Sequence, residues 1–260
     1  MTDEIPLTGG NVNTVVRVGD TVRRVCGPWS TTVQQLLLHL ERTGFAGAPR
    51  FLGIDDRGRE ILTFIPGDVG FLPYIWDDAA VVAAAQLLRQ LHDASAGFVA
   101  PPAAHWQLPS PDAARHEVIC HNDFAPYNLV FVGELPHAII DFDTAGPGPR
   151  AWDVAFALYW FVPLYHNDLP TAPGLGDLAS AAARLQLFCD AYGIPADATL
   201  LELVERRLHA LCIHLITRAL HGEAVYRTML AEGHLAGYQR AILDLQQAHP
   251  QLLAALHKSM

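Results

Sequence analysis

At 260 residues and 51% hydrophobic content, the chain can bury one large core or two modest lobes, with no room for a third domain. Its net charge of −10 excludes the basic footprint that general nucleic-acid binding requires, and it is compatible with a cationic small-molecule partner. Cys26, Cys120, Cys189 and Cys212 are widely spaced with no Cys-x-x-Cys pair, which predicts reduced thiols in a cytoplasmic protein, without a disulfide frame or zinc site. Met1 to Pro6 lacks the basic start and apolar stretch of a signal peptide. The longest apolar run, Val154 to Tyr165, is interrupted by Pro163 and too short to span a bilayer, so no membrane partner is expected.

The N-terminal third opens with the turn-rich loop Thr8 to Thr14, where Gly9, Gly10 and Asn11 give backbone N–H groups close access to phosphate oxygens. Strands are predicted over Val15–Val18 and Thr21–Val25, with Gly19-Asp20 as the turn. A helix follows over Thr31 to Arg42. Glu60 to Ile65 reads as a further strand, broken by Pro66-Gly67. Ala79 to Ala94 has helical periodicity, with Val82, Leu87, Leu88 and Leu91 on the buried side. The Pro-rich stretch Ala100 to Asp112 is a surface loop.

Next come a short apolar strand from His116 to Cys120, a second over Asn128 to Val132, and a third over His137 to Phe142. Alternation along the third strand puts Ile139, Asp141 and Asp143 on one face. Gly146-Pro147-Gly148-Pro149 is a rigid turn, and Asp153 reads as a cap on the apolar helix Val154 to Phe161. Helices are predicted over Asp177 to Tyr192, Leu200 to Leu220 and Gly233 to His249.

Between the first two of those strands lies His121-Asn122-Asp123-Phe124-Ala125-Pro126-Tyr127-Asn128, and at the end of the third lies Ile139-Ile140-Asp141-Phe142-Asp143. An Asp, a following Asn and a later Asp can together hold magnesium against a nucleoside triphosphate and accept a proton from an attacking hydroxyl. Asp123 is the candidate base. Asn128 and Asp141 are candidate magnesium ligands with Asp143 as a helper, since paired carboxylates on one face need a positive partner. His121 is read as a structural residue that bonds the loop backbone.

With these motifs, and with Trp152-Asp153 opening the next helix, the chain resembles the aminoglycoside phosphotransferase and choline kinase-like superfamily. The resemblance implies an α+β, two-lobed, protein-kinase-like fold, with a small β-rich lobe over residues 1–66 and a larger, mostly helical catalytic lobe over 67–260. It implies ATP or GTP with Mg2+, a small-molecule hydroxyl acceptor, and a monomer or homodimer. The backbone near Phe64 and Ile65 would meet the nucleotide base. Asn122 stands where the family has Gly, and Ala125 stands where protein kinases often carry lysine, which favours a small-molecule acceptor.

The phosphate-binding lysine of the family pattern is replaced, because Lys258 is the only lysine in the chain. Alternation selects Arg24 for that place, with Arg23 second. The pattern also places an acid near Val33 or Gln34, and the only acid in that helix is Glu41 at its far end. That gap motivates a second reading, a catalytically weak or inert nucleotide- or ligand-binding protein acting in antibiotic or toxin immunity. A protein kinase is the third. Asp168, Asp190, Glu202, Glu205 and Glu223 are equally readable as acceptor contacts or solvated helix faces. His116 and His121 are one residue too far apart for a zinc protease helix, and no Gly-x-Ser-x-Gly elbow is present.

Overall fold

The computed structural model describes residues 4–7, 15–108, 110–111, 115–164 and 178–259. The chain groups into two compact units, residues 1–72 with 86–153, and residues 73–85 with 154–260. The contacts group the strands around residues 118–148 with the N-terminal sheet.

In the first unit, β1 (Ile5–Pro6), β2 (Val15–Val18), β3 (Thr21–Val25), β4 (Phe51–Ile54) and β5 (Arg59–Thr63) form an antiparallel sheet in the order β1-β2-β3-β5-β4. The β2–β3 hairpin pairs Val18 with Thr21, and Gly19 takes a φ of 60° in the two-residue turn, a conformation that costs glycine little. The β3–β5 register sets Arg24 opposite Glu60. Helix α1 (Ser30–Arg42) buries Val33, Leu36, Leu37 and Leu40, the i, i+3, i+4, i+7 stripe of an amphipathic helix. Burial of each such side chain contributes about 1.5–3 kcal/mol.

The remaining strands of this unit are β6 (Asp68–Val69), β7 (Val118–Cys120), β8 (Leu129–Val132), β9 (Leu135–Ile139) and β10 (Gly146–Gly148). They form a sheet ordered β6-β8-β9 and a pair β10-β7. Gly67 (φ 150°) brings the chain so close to β8 that a Cβ there would collide with the Phe131 carbonyl and the Val130 side chain. The boundary between the units falls within α2 (Asp78–Ser95) and α3 (Arg150–Phe161).

The second unit is helical. From Val154 onward α3 is apolar all round, with Val154, Phe156, Leu158 and Phe161 at most 1% exposed, as a fully enclosed helix must be. α4 (Leu178–Tyr192), α5 (Ala198–Leu220), α6 (Ala224–Ala231) and α7 (His234–Ser259) follow, with α7 packed along α4 and α5. Asp197 caps α5 by accepting the Leu200 N–H at 2.9 Å. In these C-terminal helices, two features differ from the sequence expectation. The short α6 has no buried residue and is held at its start by the Arg218–Glu223 ion pair (2.6 Å). α7 continues ten residues past His249 despite Pro250, because burial of Leu252 and Leu256 offsets a proline cost of about 3 kcal/mol. Among the described residues, no helix is long and apolar enough to cross a membrane. A β-rich N-terminal region followed by a larger helical part matches the expected α+β class.

Candidate active site

The site begins where β7 ends. Asn122 lies in the left-handed region (φ 63°), which explains why glycine is usual at this place in the resembling family. Asn is among the residues that tolerate it, and its amide nitrogen donates to the Leu108 and Thr144 carbonyls at 2.9 Å each. His121 is fully buried, with Nε2 3.0 Å from the Ile140 carbonyl and its ring edge-on to Phe142 at 4.8 Å.

Asp123 is held on both oxygens. Tyr127 Oη donates to Oδ1 at 2.7 Å and Asn128 Nδ2 donates to Oδ2 at 2.8 Å, with a second bond from Nδ2 to the Asp123 carbonyl at 3.0 Å. Desolvation pushes the Asp123 carboxyl above its ordinary value, while the Tyr127 hydrogen bond, the nearby His121 and the Asn128 bond pull it down.

Asp153 does not serve as the helix cap expected of it. It is fully buried and reaches back to the loop: Oδ2 accepts the His121 N–H at 2.6 Å, Oδ1 accepts the Asn122 N–H at 2.9 Å, and His92 Nε2 lies 3.1 Å from Oδ2. Burial alone would raise this carboxyl, but the hydrogen bond and charge of His92, the nearby His121 and its N–H bond leave it below the ordinary carboxylate range. Asp153 therefore fixes the backbone that presents Asp123. The Trp152-Asp153 pair was the available signal, read instead as a helix start.

Asp141 and Asp143 do not share a strand face. β9 ends at Ile139, Asp141 turns left-handed (φ 61°, ψ 67°), and Asp143 follows in a 3-10 turn, Phe142–Thr144. The charge between them is Arg24: Nη1 is 3.0 Å from Asp141 Oδ1 and Nη2 is 2.7 Å from Asp143 Oδ1. Burial pushes Asp143 up to about 6, Arg24 opposing and Asp141 adding to the rise. For Arg24, burial acts downward, but Asp143, Glu60 and Asp141 outweigh it and hold the guanidinium above its ordinary value.

The anchoring acid sought in α1 comes from β5. Glu60, 0% exposed, takes Arg24 Nε on Oε1 and Gln34 Nε2 on Oε2 at 3.2 Å. Gln34 thus stands where the family pattern expects the acid, and it holds the acid that replaces it. Alternation along either strand does not reveal this; it is the pairing of β3 with β5 that puts Glu60 directly across from Arg24. Arg23 points elsewhere, with Nε 3.8 Å from Asp55.

Phe64 follows β5. Its N–H donates to the Asp20 carbonyl at 2.9 Å, and the Arg17 guanidinium lies over its ring at 3.8 Å. Ile65 is the next residue along and is half-buried. Gly9, Gly10, Asn11 and Asp168 lie outside the described residues. Of the other helix acids, Asp190 accepts from Gln186 and Glu205 from Gln246, while Glu223 pairs with Arg218.

The donor set suits magnesium. Asp141 has a half-exposed side chain and gives Arg24 its Oδ1; Asn128 uses its amide nitrogen on Asp123, leaving an amide oxygen as a hard donor.

A carboxylate held on a short loop, an amide five residues on, and an acidic pair facing a buried strand cation form the arrangement expected of a kinase-like phosphotransferase. The profile of the phosphotransferase enzyme family, APH, matches residues 75–183. The trifolitoxin immunity protein of Rhizobium leguminosarum bv. trifolii is 40% identical over 198 residues, covering 75% of this chain and 76% of that protein. The chain belongs to this phosphotransferase family. Among solved structures, a putative aminoglycoside phosphotransferase from Ralstonia eutropha JMP134 superposes with a TM-score of 0.61 at 13% identity, covering 95% and 93% of the two chains. The GDP complex of aminoglycoside 2'-phosphotransferase-IIIa gives 0.60 at 13% identity, with 95% and 93% coverage. At that identity the likeness concerns the fold.

Proposed function

We propose that this protein is a magnesium-dependent phosphotransferase that moves the γ-phosphoryl group of ATP or GTP onto a hydroxyl of a small molecule. The observation that carries the reading is Asp123: a desolvated carboxylate, oriented on both oxygens, on a loop whose backbone is pinned by Asp153. Asp123 accepts the proton of the acceptor hydroxyl as that hydroxyl's oxygen bonds to the γ-phosphorus, while the bond to the β–γ bridging oxygen breaks and the nucleoside diphosphate leaves. Asn128 and Asp141, with Asp143, would hold magnesium, which supplies charge neutralisation at the phosphates. Arg24 is the phosphate-facing cation, and its planar fork suits phosphate oxygens. Residues 1–66 are assigned as the nucleotide-covering part, with the Phe64–Ile65 backbone at the base. The GDP-bound structural relative supports a nucleotide in such a fold. Catalysis here rests on positioning and charge stabilisation.

The name of the immunity relative supports a second reading, a catalytically weak or inert nucleotide- or ligand-binding protein in toxin or antibiotic immunity. The Arg24 bridge across Asp141 and Asp143 is compatible with it. A panel of hydroxyl acceptors, with nucleotide consumption as readout and nucleotide thermal shifts alongside, separates the two. The phosphotransferase reading expects turnover that falls by about 10²–10⁴-fold in Asp123→Ala, with the fold retained. Nucleotide binding without consumption across the panel favours the inert reading, and full turnover in Asp123→Ala rules out the assigned base.

A further inference from the structure

Both oxygens of the proposed base are already engaged, and only one of the two donors belongs to the metal-binding set. Asn128 holds Asp123 Oδ2; the donor on Oδ1 is Tyr127 Oη, at 2.7 Å. The local fold delivers it. Ala125 is extended (φ −138°, ψ 160°), and Pro126 opens a single 3-10 turn, Pro126–Asn128, that folds residue 127 back onto residue 123. The phenol ring leans on Phe71, centroids 6.0 Å apart and planes tilted by 59°. Tyr127 is half-buried, not fully enclosed.

A hydroxyl that gives its proton to Asp123 must first donate a hydrogen bond to that carboxylate, at roughly 2.6–3.2 Å. Tyr127 already makes that bond. The geometry points to Tyr127 as a placeholder for the acceptor: its hydroxyl occupies the acceptor's station on Asp123 and is displaced when a true acceptor binds. This inference rests on Asp123 being the base of a phosphotransferase.

Two consequences follow from the exchange. Without an acceptor, water is denied the base, so bound nucleotide is not hydrolysed through Asp123. With one, the reacting hydroxyl gains little net binding, because it replaces a bond of the same kind. Selection therefore favours acceptors that bind through groups other than the reacting hydroxyl, and disfavours small alcohols and water.

Tyr127→Phe removes the hydroxyl and keeps the ring against Phe71. Acceptor-free hydrolysis of ATP and GTP with magnesium is measured for the wild type, Tyr127→Phe and the double variant Asp123→Asn/Tyr127→Phe, with thermal unfolding followed in each. The expected result is hydrolysis raised about tenfold in Tyr127→Phe, matching the loss of a hydrogen bond to a charged group, and returned to background in the double variant. A rate at or below wild type in Tyr127→Phe overturns the placeholder, since the hydroxyl would then be orienting Asp123 or sharing its oxygen with the acceptor. A gain that persists without Asp123 overturns it as well. Phosphotyrosine at residue 127 after incubation with nucleotide also overturns it, by making the hydroxyl a substrate. If the wild type transfers phosphate to a panel acceptor yet Tyr127→Phe shows no gain, only the placeholder fails. If neither protein consumes nucleotide with or without acceptors, the phosphotransferase reading fails with it.

Discussion

The Asp123 loop and the strand cradle are held in place by different routes. In the loop, Asp123, Tyr127 and Asn128 are neighbours in sequence, and one distant side chain, Asp153, pins two successive backbone N–H groups. In the cradle, Arg24 on β3, Gln34 on α1, Glu60 on β5 and the Asp141–Asp143 turn come from four separate elements. The loop is specified by local order, the cradle by strand register. A cradle built on register can move its acid from a helix to a strand and keep a buried cation paired. A loop built on contiguous residues has no such freedom.

Breaking the cradle at its centre has the largest expected effect. Arg24→Met leaves Glu60 as a buried charge without its main partner, a loss of about 3–5 kcal/mol, together with loss of the nucleotide-induced thermal shift. The double variant Arg24→Met/Glu60→Met should recover much of the stability and none of the nucleotide response. Urea unfolding with and without nucleotide checks both, and additive losses would show that the pair is not coupled. On the loop side, Asp153→Ala orphans two buried N–H groups at about 1–3 kcal/mol each. Turnover should fall even where the global fold persists, and amide exchange at His121 and Asn122 should speed up. Unchanged exchange there would show that Asp153 does not pin the loop.

A smaller effect in the cradle depends on pH. Asp143 is raised from its ordinary 3.8 to about 6, so the folded state holds this proton more tightly than the unfolded chain does. Its contribution to stability is therefore greatest below the ordinary value, declines as pH rises from 3.8 to about 6, and is level above that. Asp143→Asn should flatten this part of the melting-temperature profile, and an unaltered slope between those values would contradict the assignment. Gln34→Leu is expected to be mildest, about 1–3 kcal/mol, because it takes one donor from Glu60 and leaves Arg24 in place. A loss as large as that of Arg24→Met would make Gln34, not Arg24, the principal support of Glu60.

The same contrast explains what could be read in the chain alone. The loop motif and most helices were visible because each is a contiguous pattern: periodic apolar residues in α1 and α5, or Asp123 and Asn128 at fixed spacing. Glu60 was hidden because its role appears only once β3 and β5 are paired, and neither strand carries its partner's register. Asp153 looked like a helix cap because its sequence neighbours belong to a helix while its hydrogen-bond partners lie thirty residues earlier. Tyr127 was passed over as a spacer inside the motif, since only the turn at Pro126 brings it back to Asp123. The continuation of α7 through Pro250 depended on tertiary burial that outweighs local propensity.

Arg24 has a practical consequence for how such a protein is found. Nucleotide analogues that label proteins by acylating an amine need a lysine beside the phosphates. This chain has one lysine, Lys258 near the end of α7, and a guanidinium in the cradle that stays protonated and does not acylate under the same conditions. On the proposed function, a survey of nucleotide-binding proteins by amine-reactive probes would pass over this chain even with nucleotide in the cradle.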